Sequence, residues 1–474
     1  MIHIPILRGG KTYRSLDLQP LPHFQSGETV AEVSQANPGM IARDLRNIAD
    51  AQSALQQIPI ADLLEICKKT ADQFLNATLP IDENSNQTAD DYVQQLSATT
   101  GMPASLCRAN MGKIAHVLEN MGAVLGGLTR GLDLSILDSG YVVHNDRPLS
   151  FLRETNALGA ILPSNSPGVH SLWVPAIPLK VPLVLKPGSQ EPWTPLRIAR
   201  AFIAAGAPPE AFNIYPTNYT GAAEILLKTG RSMLFGDKST VAPWKKDPRV
   251  QIHGPGWSKI IIGEDLIDRW EEFIDVIVDS AAANGGRSCI NASGVWVPRH
   301  GKAIAEAIAK KFAAFTARSL DDPAAQLPAF ANPLVAERIS EMIDSQLTEP
   351  GAIDVTETIR GHSRLVRDFG CTFLLPTVTF CADHHHPLAN TEFLFPYLSV
   401  CESPQNEILH QIGSSLVVTA ITNDEAFIRE LFASPHVERL NIGALPTYRI
   451  SWDQPHEGNL FEHLYRQRAL QLAI

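Results

Sequence analysis

Cys289 is the residue of this chain best placed to do chemistry. It stands in Asn284-Gly285-Gly286-Arg287-Ser288-Cys289, with Ile290 to Val297 behind it. Upstream, Leu266, Trp270, Phe273, Ile274 and Ile277 recur at helical spacing, and Gly285-Gly286 end that period. Downstream, Gly294-Val295-Trp296-Val297 opens a strand that Pro298 stops. A thiol in a turn between helix and strand is open to a substrate. Ser288, Asn291, Ala292 and Ser293 are small enough to let one come close. Most single cysteines are small buried hydrophobes, so the rest of the chain decides whether this one is a nucleophile.

Three further groups have types and addresses that suit chemistry. Asn165 lies in Pro163-Ser164-Asn165-Ser166-Pro167-Gly168, after an apolar strand, where an amide N–H can stabilise an oxyanion. Asparagine in turns is also common for its own backbone reasons. Lys186 directly follows Leu183-Val184-Leu185, so it sits at a strand's carboxyl end, within reach of a ribose or phosphate. Glu392 precedes the apolar run Phe393-Leu394-Phe395, and taken alone it reads as a structural or solvated carboxylate. His384-His385-His386 invites a metal reading. Three adjacent side chains are expected to point in different directions, and no partners stand at ligand spacing, so no metal site is predicted.

The elements that must position these groups alternate. Gly159–Leu162, Leu183–Leu185, Phe212–Tyr215, Ser232–Phe235 and Lys259–Ile262 read as strands. A mostly apolar helix after Gly168, then Trp193–Ala205 and Ala222–Lys228, read as helices between them. That rhythm predicts an α/β fold with a doubly wound parallel sheet, which binds ligands at the carboxyl ends of its strands. Leu134 to Leu152 reads as a β-hairpin turning at Asp146-Arg147-Pro148. A second α/β region follows Cys289. The tail from Asp453 reads either as a surface helix or as a segment that packs on another subunit. No GxGxxG is present, so a standard dinucleotide fingerprint is absent.

Composition excludes several classes. The chain has 474 residues and a formal net charge of −11, which disfavours nucleic acid and anionic membranes as partners. Its six cysteines are scattered without a CxxC, so a reducing, cytoplasmic setting is expected. The first residues do not open a signal peptide. The most apolar segment, residues 171–185, is interrupted by Pro175, Pro178, Lys180 and Pro182, so no membrane span is expected.

In order along the chain, these pieces resemble the aldehyde dehydrogenase superfamily. Asn284–Cys289 resembles its nucleophile motif, and Pro163–Pro167 its oxyanion-asparagine turn. Leu185-Lys186-Pro187 resembles its cofactor-ribose lysine motif. Gly206–Ile214 resembles its helix-to-strand connection, and Thr391-Glu392-Phe393-Leu394-Phe395-Pro396 its nicotinamide-ribose glutamate motif. The resemblance implies NAD or NADP as cofactor, with Pro163, Ser164, Lys186, Ser189, Gly236 and Glu392 as cofactor-binding candidates. It implies that Cys289 attacks a carbonyl carbon, that Asn165 and the Cys289 N–H hold the oxyanion, and that a thioester forms on Cys289.

Departures from the pattern narrow the expectation. Hydrolytic members carry a glutamate base in Glu-Leu-Gly-Gly-Lys; here His253-Gly254-Pro255-Gly256-Trp257-Ser258-Lys259 stands there, with His253 in the base's position. Members that exchange acyl groups with coenzyme A also lack that glutamate, and the region around Thr99-Thr100-Gly101-Met102-Pro103 resembles fatty-acyl-CoA reductases of the bioluminescence type. The expectation therefore leans to acyl-CoA reductase or CoA-acylating chemistry on an aldehyde or acyl thioester, with coenzyme A as co-substrate. Two alternatives stay open: hydrolysis with His253 as base, and a catalytically silent member. Ser189 replaces the glutamate usual in NAD-preferring relatives, so NADP is expected to be accepted. The loop Phe235-Gly236-Asp237-Lys238-Ser239-Thr240 aligns poorly with the family's cofactor loop. The resemblance further implies a cofactor domain over residues 1–130 and 151–265 and a catalytic domain over 266–450. Bridging segments at 131–150 and 451–474 would serve a homodimer or homotetramer.

Overall fold

The computed structural model describes residues 1–472 and forms two compact units. One comprises Met1–Thr100, Cys107–Gly254 and the chain from Ser451 onward; the other comprises Gly101–Leu106 and Pro255–Ile450.

The first unit is built on a seven-stranded sheet. Its order is Val250–His253, Arg231–Phe235, Leu158–Ile161, Leu183–Lys186, Phe212–Ile214, Ile6–Arg8 and Lys11–Tyr13. The first five strands run parallel, and the last two join antiparallel. Among the five parallel strands the chain starts at Leu158–Ile161 and winds outward both ways, so the strand order reverses between Leu158–Ile161 and Arg231–Phe235. A crevice opens at the carboxyl ends of strands at such a reversal. Trp193–Ala204 and Tyr219–Lys228 are α-helices as expected. The expected helix after Gly168 is instead two 3-10 segments, Pro167–Leu172 and Val174–Ala176. Pro175 and Pro178 lack the N–H that a continuous α-helix needs there.

Arg197 anchors this unit from inside. Its guanidinium is buried and donates to the carbonyls of Phe74 (2.9 Å), Ala77 (2.9 Å) and Gln87 (3.1 Å). It also lies over the rings of Phe74 and Tyr92.

The second unit holds another seven-stranded sheet. Its order is Ala352–Asp354, Thr377–Cys381, Tyr397–Glu402, Ala292–Val297, Ser258–Ile262, Ser415–Ile421 and Val437–Ile442, parallel except at the Ala352–Asp354 edge. Both faces are covered. Ile260, Ile262, Val295 and Val297 enter one apolar cluster, and Ile261 and Trp296 enter the other. This is how a parallel strand turns a continuous apolar run into two cores. The strand at Ser258–Ile262 therefore belongs to this sheet, not to the first, and the chain passes from one unit to the other at Gly254/Pro255. Gly254-Pro255-Gly256 ends one strand and redirects the chain before the next.

Within the first unit, Tyr141–His144 and Arg147–Arg153 form the expected hairpin. The turn sits at Asn145 (φ 50°) and Asp146 (φ 61°), one residue earlier than read from sequence. Among its described residues the tail contributes a short helix, Leu460–Leu464, and then a third strand, Tyr465–Arg468, paired antiparallel to Arg147–Arg153. Residues 473 and 474, part of the expected bridging tail, lie outside the described residues. Among the described residues no helix is long and apolar enough to cross a membrane.

Replacing Arg197 by methionine removes a donor from the carbonyls of Phe74, Gln87 and the part-buried Ala77, and each buried acceptor left unpaired costs about 1–3 kcal/mol. Arg197→Met is expected to lower stability by about 3 kcal/mol or more, read as a fall in the urea midpoint. A change within 0.5 kcal/mol, taken as about the scatter of surface substitutions, would contradict this anchoring.

Candidate active site

In the second unit the candidates gather at the amino ends of three neighbouring parallel strands. Cys289 lies just before Ala292–Val297. Trp257 lies just before the adjacent Ser258–Ile262, and Glu392 lies ahead of Tyr397–Glu402 on the other side. Five of the six cysteines are buried, and Cys289 alone is half-buried. Its loop is shaped by three consecutive left-handed residues, Asn284 (φ 53°), Gly285 (φ 64°) and Gly286 (φ 72°). A Cβ on Gly286 would stand 2.4 Å from the Phe395 backbone, so glycine is the residue that lets the loop close there. Asn291 fastens the loop to helix Ile274–Ala282. Its amide donates to the carbonyls of Ser280 and Ala283, both at 2.9 Å, and its oxygen accepts from the Ser288 N–H at 2.9 Å. Arg287 reaches the Ala329 carbonyl and lies over the Phe330 ring.

Gly256 to Lys259 bracket this loop. A Cβ on Gly256 would lie 1.9 Å from the Cys289 carbonyl oxygen. The Ser258 hydroxyl donates to that same oxygen at 2.8 Å. The Trp257 N–H donates to the Glu392 carboxylate at 2.5 Å, and the buried Lys259 ammonium donates to the Trp257 carbonyl at 2.7 Å. One short segment thus fixes both Cys289 and Glu392. In the stretch His253–Lys259 only His253 has a role assigned from sequence; nothing in residue type marks Trp257 or Ser258 beforehand.

In the first unit the remaining candidates collect at the carboxyl end of the sheet. Pro163, Ser164 and Asn165 follow the strand Leu158–Ile161, and Lys186 ends the next strand. The two meet closely: Leu162 N–H donates to Lys186 O at 2.9 Å, and Gln190 N–H to Ser164 Oγ at 3.3 Å. A Cβ on Gly188 would stand 2.3 Å from Ser164 Oγ. Ser189 is exposed. Gly236 follows Arg231–Phe235, on the far side of the strand reversal, and its N–H donates to the His253 carbonyl at 3.2 Å. Lys186 is half-buried and has no acidic partner among the described residues; burial pushes its ammonium pKa down. An unneutralised cation beside a strand-end crevice fits a ribose–phosphate ligand.

The segment after Asn165 is held by a network that the sequence did not announce. Trp173 Nε1 donates to His170 Nδ1 at 3.0 Å, which leaves His170 Nε2 to donate to Glu191 at 3.0 Å. The other Glu191 oxygen accepts from the Thr194 N–H at 2.9 Å and from its hydroxyl, in the first turn of helix Trp193–Ala204. All four side chains are buried.

His253 is nearly sealed, with 4% of its surface exposed. The Glu457 carboxylate sits against Nδ1, Gln251 Oε1 lies 3.3 Å from Nε2, and the Phe235 ring stacks on the imidazole at 4.3 Å. Glu457 comes from the tail, 204 residues on, so no local pattern could pair the two. The histidine run also differs from expectation. The rings of His384 and His385 lie 3.9 Å apart, and with Asp383 they form the one group among the described residues with three ligand-type atoms within 4.8 Å. His386 turns away and faces the Gln346 carbonyl.

The Lys259 pKa is pushed down to about 8 by burial, with Glu392 opposing the shift. An unfolded lysine titrates near 10.4. The stabilising contribution is therefore present above that value and lost as pH falls through about 8. Relative to Lys259→Met, the unmodified chain is expected to gain about 3 kcal/mol between those limits, measured by denaturation across this pH window. Parallel pH profiles would contradict the assignment.

The aldehyde dehydrogenase family model matches residues 19–412. A solved NADP-dependent enzyme from E. coli is 15% identical with a TM-score of 0.78, over 98% of this chain and 97% of that one. The aldehyde dehydrogenase KauB from Pseudomonas aeruginosa is 17% identical with a TM-score of 0.78, over 99% and 96%. NADP-dependent glyceraldehyde-3-phosphate dehydrogenase from Bacillus halodurans C-125, complexed with NADP, is 16% identical with a TM-score of 0.77, over 99% and 98%. The fold is shared along nearly the full length, and the family model spans most of the chain: it belongs to the aldehyde dehydrogenase family.

Proposed function

We propose that this chain is an NAD(P)-dependent oxidoreductase that links an aldehyde to an acyl thioester through Cys289. The observation that carries the reading is the bracket around Cys289: the one half-exposed thiol is held by the segment that also holds Glu392. Cys289 Sγ, as thiolate, adds to the carbonyl carbon, and the carbonyl π pair moves to oxygen. By resemblance the Asn165 amide and the Cys289 N–H hold that oxyanion. A nicotinamide dinucleotide held there would supply the acceptor for the hydride that leaves the carbon. Collapse of the oxyanion leaves a thioester on Cys289, and the thiolate of coenzyme A then displaces the Cys289 sulfur. The reverse sequence reduces an acyl thioester to aldehyde.

Lys186 and Glu392 would hold the cofactor's ribose hydroxyls, with Pro163, Ser164, Ser189 and Gly236 lining its path at the carboxyl end of the first sheet. Ser189 carries no charge to repel a 2′-phosphate, which supports acceptance of NADP. A strand edge with exposed Tyr141 and Val143 supports assembly into a homodimer or homotetramer through the hairpin and tail.

The choice of acyl acceptor rests on His253. A base that activates water must reach the water, and this imidazole is enclosed by Glu457, Gln251 and Phe235. That enclosure supports a thiol as acceptor. The hydrolytic reading keeps one supporting observation, the pairing of the His253 imidazole with the Glu457 carboxylate.

With an aldehyde and NADP, formation of reduced nicotinamide is expected to stop near one equivalent per chain and to resume on adding coenzyme A. Cys289→Ala should lack both phases. Sustained turnover in water alone would overturn the thiol-acceptor reading in favour of hydrolysis.

A further inference from the structure

Trp257 occupies a position that its side chain should avoid. Its φ is 43°, in the left-handed region where glycine is favoured and bulky residues are rare. The backbone there is fully committed, with its N–H on Glu392 and its carbonyl on Lys259. The neighbours on either side, Gly256 and Ser258, both touch the Cys289 carbonyl. The indole itself is half-buried, and among the described residues it stacks on no ring and its N–H donates to no acceptor. Seen from folding alone, glycine would serve better at this place. A strained residue kept at a reactive centre is a sign of use there.

The surroundings indicate what the indole would meet. The backbone N–H of Trp257 holds the Glu392 carboxylate, so the residue that carries the π face also positions an anion. That pair suits a flat cation bearing hydroxyl groups. A tryptophan face attracts a cation more than any other ring does, and a carboxylate accepts from hydroxyls. The oxidised nicotinamide riboside has this chemistry, a pyridinium ring on a diol sugar. The reduced ring is uncharged and loses the first of these attractions.

We propose that Trp257 is a specificity-determining residue that packs against the nicotinamide ring and favours its oxidised, cationic form over the reduced one. The inference rests on the nicotinamide dinucleotide reading given under Proposed function. It adds a way for the chain to let go of the cofactor after the hydride has moved, since the attraction falls when the ring becomes neutral.

Calorimetric titration of the full chain with NADP+ and NADPH tests this without turnover. Trp257→Leu is expected to weaken NADP+ binding about tenfold and NADPH binding less than threefold, about the difference a cation–π contact makes. Trp257→Phe should restore most of the NADP+ affinity. Trp257→Gly should show the same selective loss with an unfolding midpoint no lower than that of the unmodified chain, because glycine suits the backbone. Equal weakening of both forms, or no change in either, would overturn the role of Trp257 while the cofactor reading stood. If the unmodified chain bound neither form, both would fall.

Discussion

The hydrogen bond from Ser258 to the Cys289 carbonyl is the contact on which the site depends. It joins two loops that enter neighbouring parallel strands, Ser258–Ile262 and Ala292–Val297. The strands pair with a register shift between Ser258 and Lys259. Room for the contact exists only because residue 256 is glycine, since any side chain there would strike the Cys289 carbonyl. The same segment holds Glu392 through Trp257. Sheet order therefore does the positioning. Three adjacent strands bring their amino ends together, and three residues far apart in sequence become neighbours on a buried, two-faced sheet.

The two sheets use opposite ends. In the first unit, Asn165, Lys186 and Gly236 stand at the carboxyl ends, where the reversal of strand order opens a crevice. In the second unit, Trp257, Cys289 and Glu392 stand at the amino ends. Local charge follows the same division. The chain is acidic as a whole, yet Lys186 has no acid beside it among the described residues, and the buried Lys259 is set within the field of Glu392. His253 marks a third choice. Sealed by Glu457 from the tail, it is shaped more for holding the last part of the chain than for meeting water.

Much of this was legible in the residues. Short apolar runs between glycines and prolines located the parallel strands, and Gly285-Gly286 located the turn that presents Cys289. The motif order then assigned the family. Four things were not legible, for physical reasons. The strand Ser258–Ile262 is recognisable by its apolar run Ile260-Ile261-Ile262, and such a run does not say which of two sheets it joins. The apolar stretch after Gly168 has helical composition, but its prolines remove the N–H groups an α-helix would use. The partners of His253 and His170, Glu457 and Glu191, meet them only through tertiary packing. The His384–His385 approach likewise follows from a local turn, His385 N–H on Asp383, and not from any periodicity.

The account turns on Cys289 carrying the acyl group. Peptide mass mapping of the full chain, incubated with an aldehyde and NADP in the absence of any thiol and quenched in acid, measures this directly. The predicted result is a Cys289 peptide heavier by the mass of the aldehyde less two hydrogens, and its loss on adding coenzyme A. Reduced nicotinamide formed with Cys289 unmodified throughout, or an acyl group found on another residue, would contradict it.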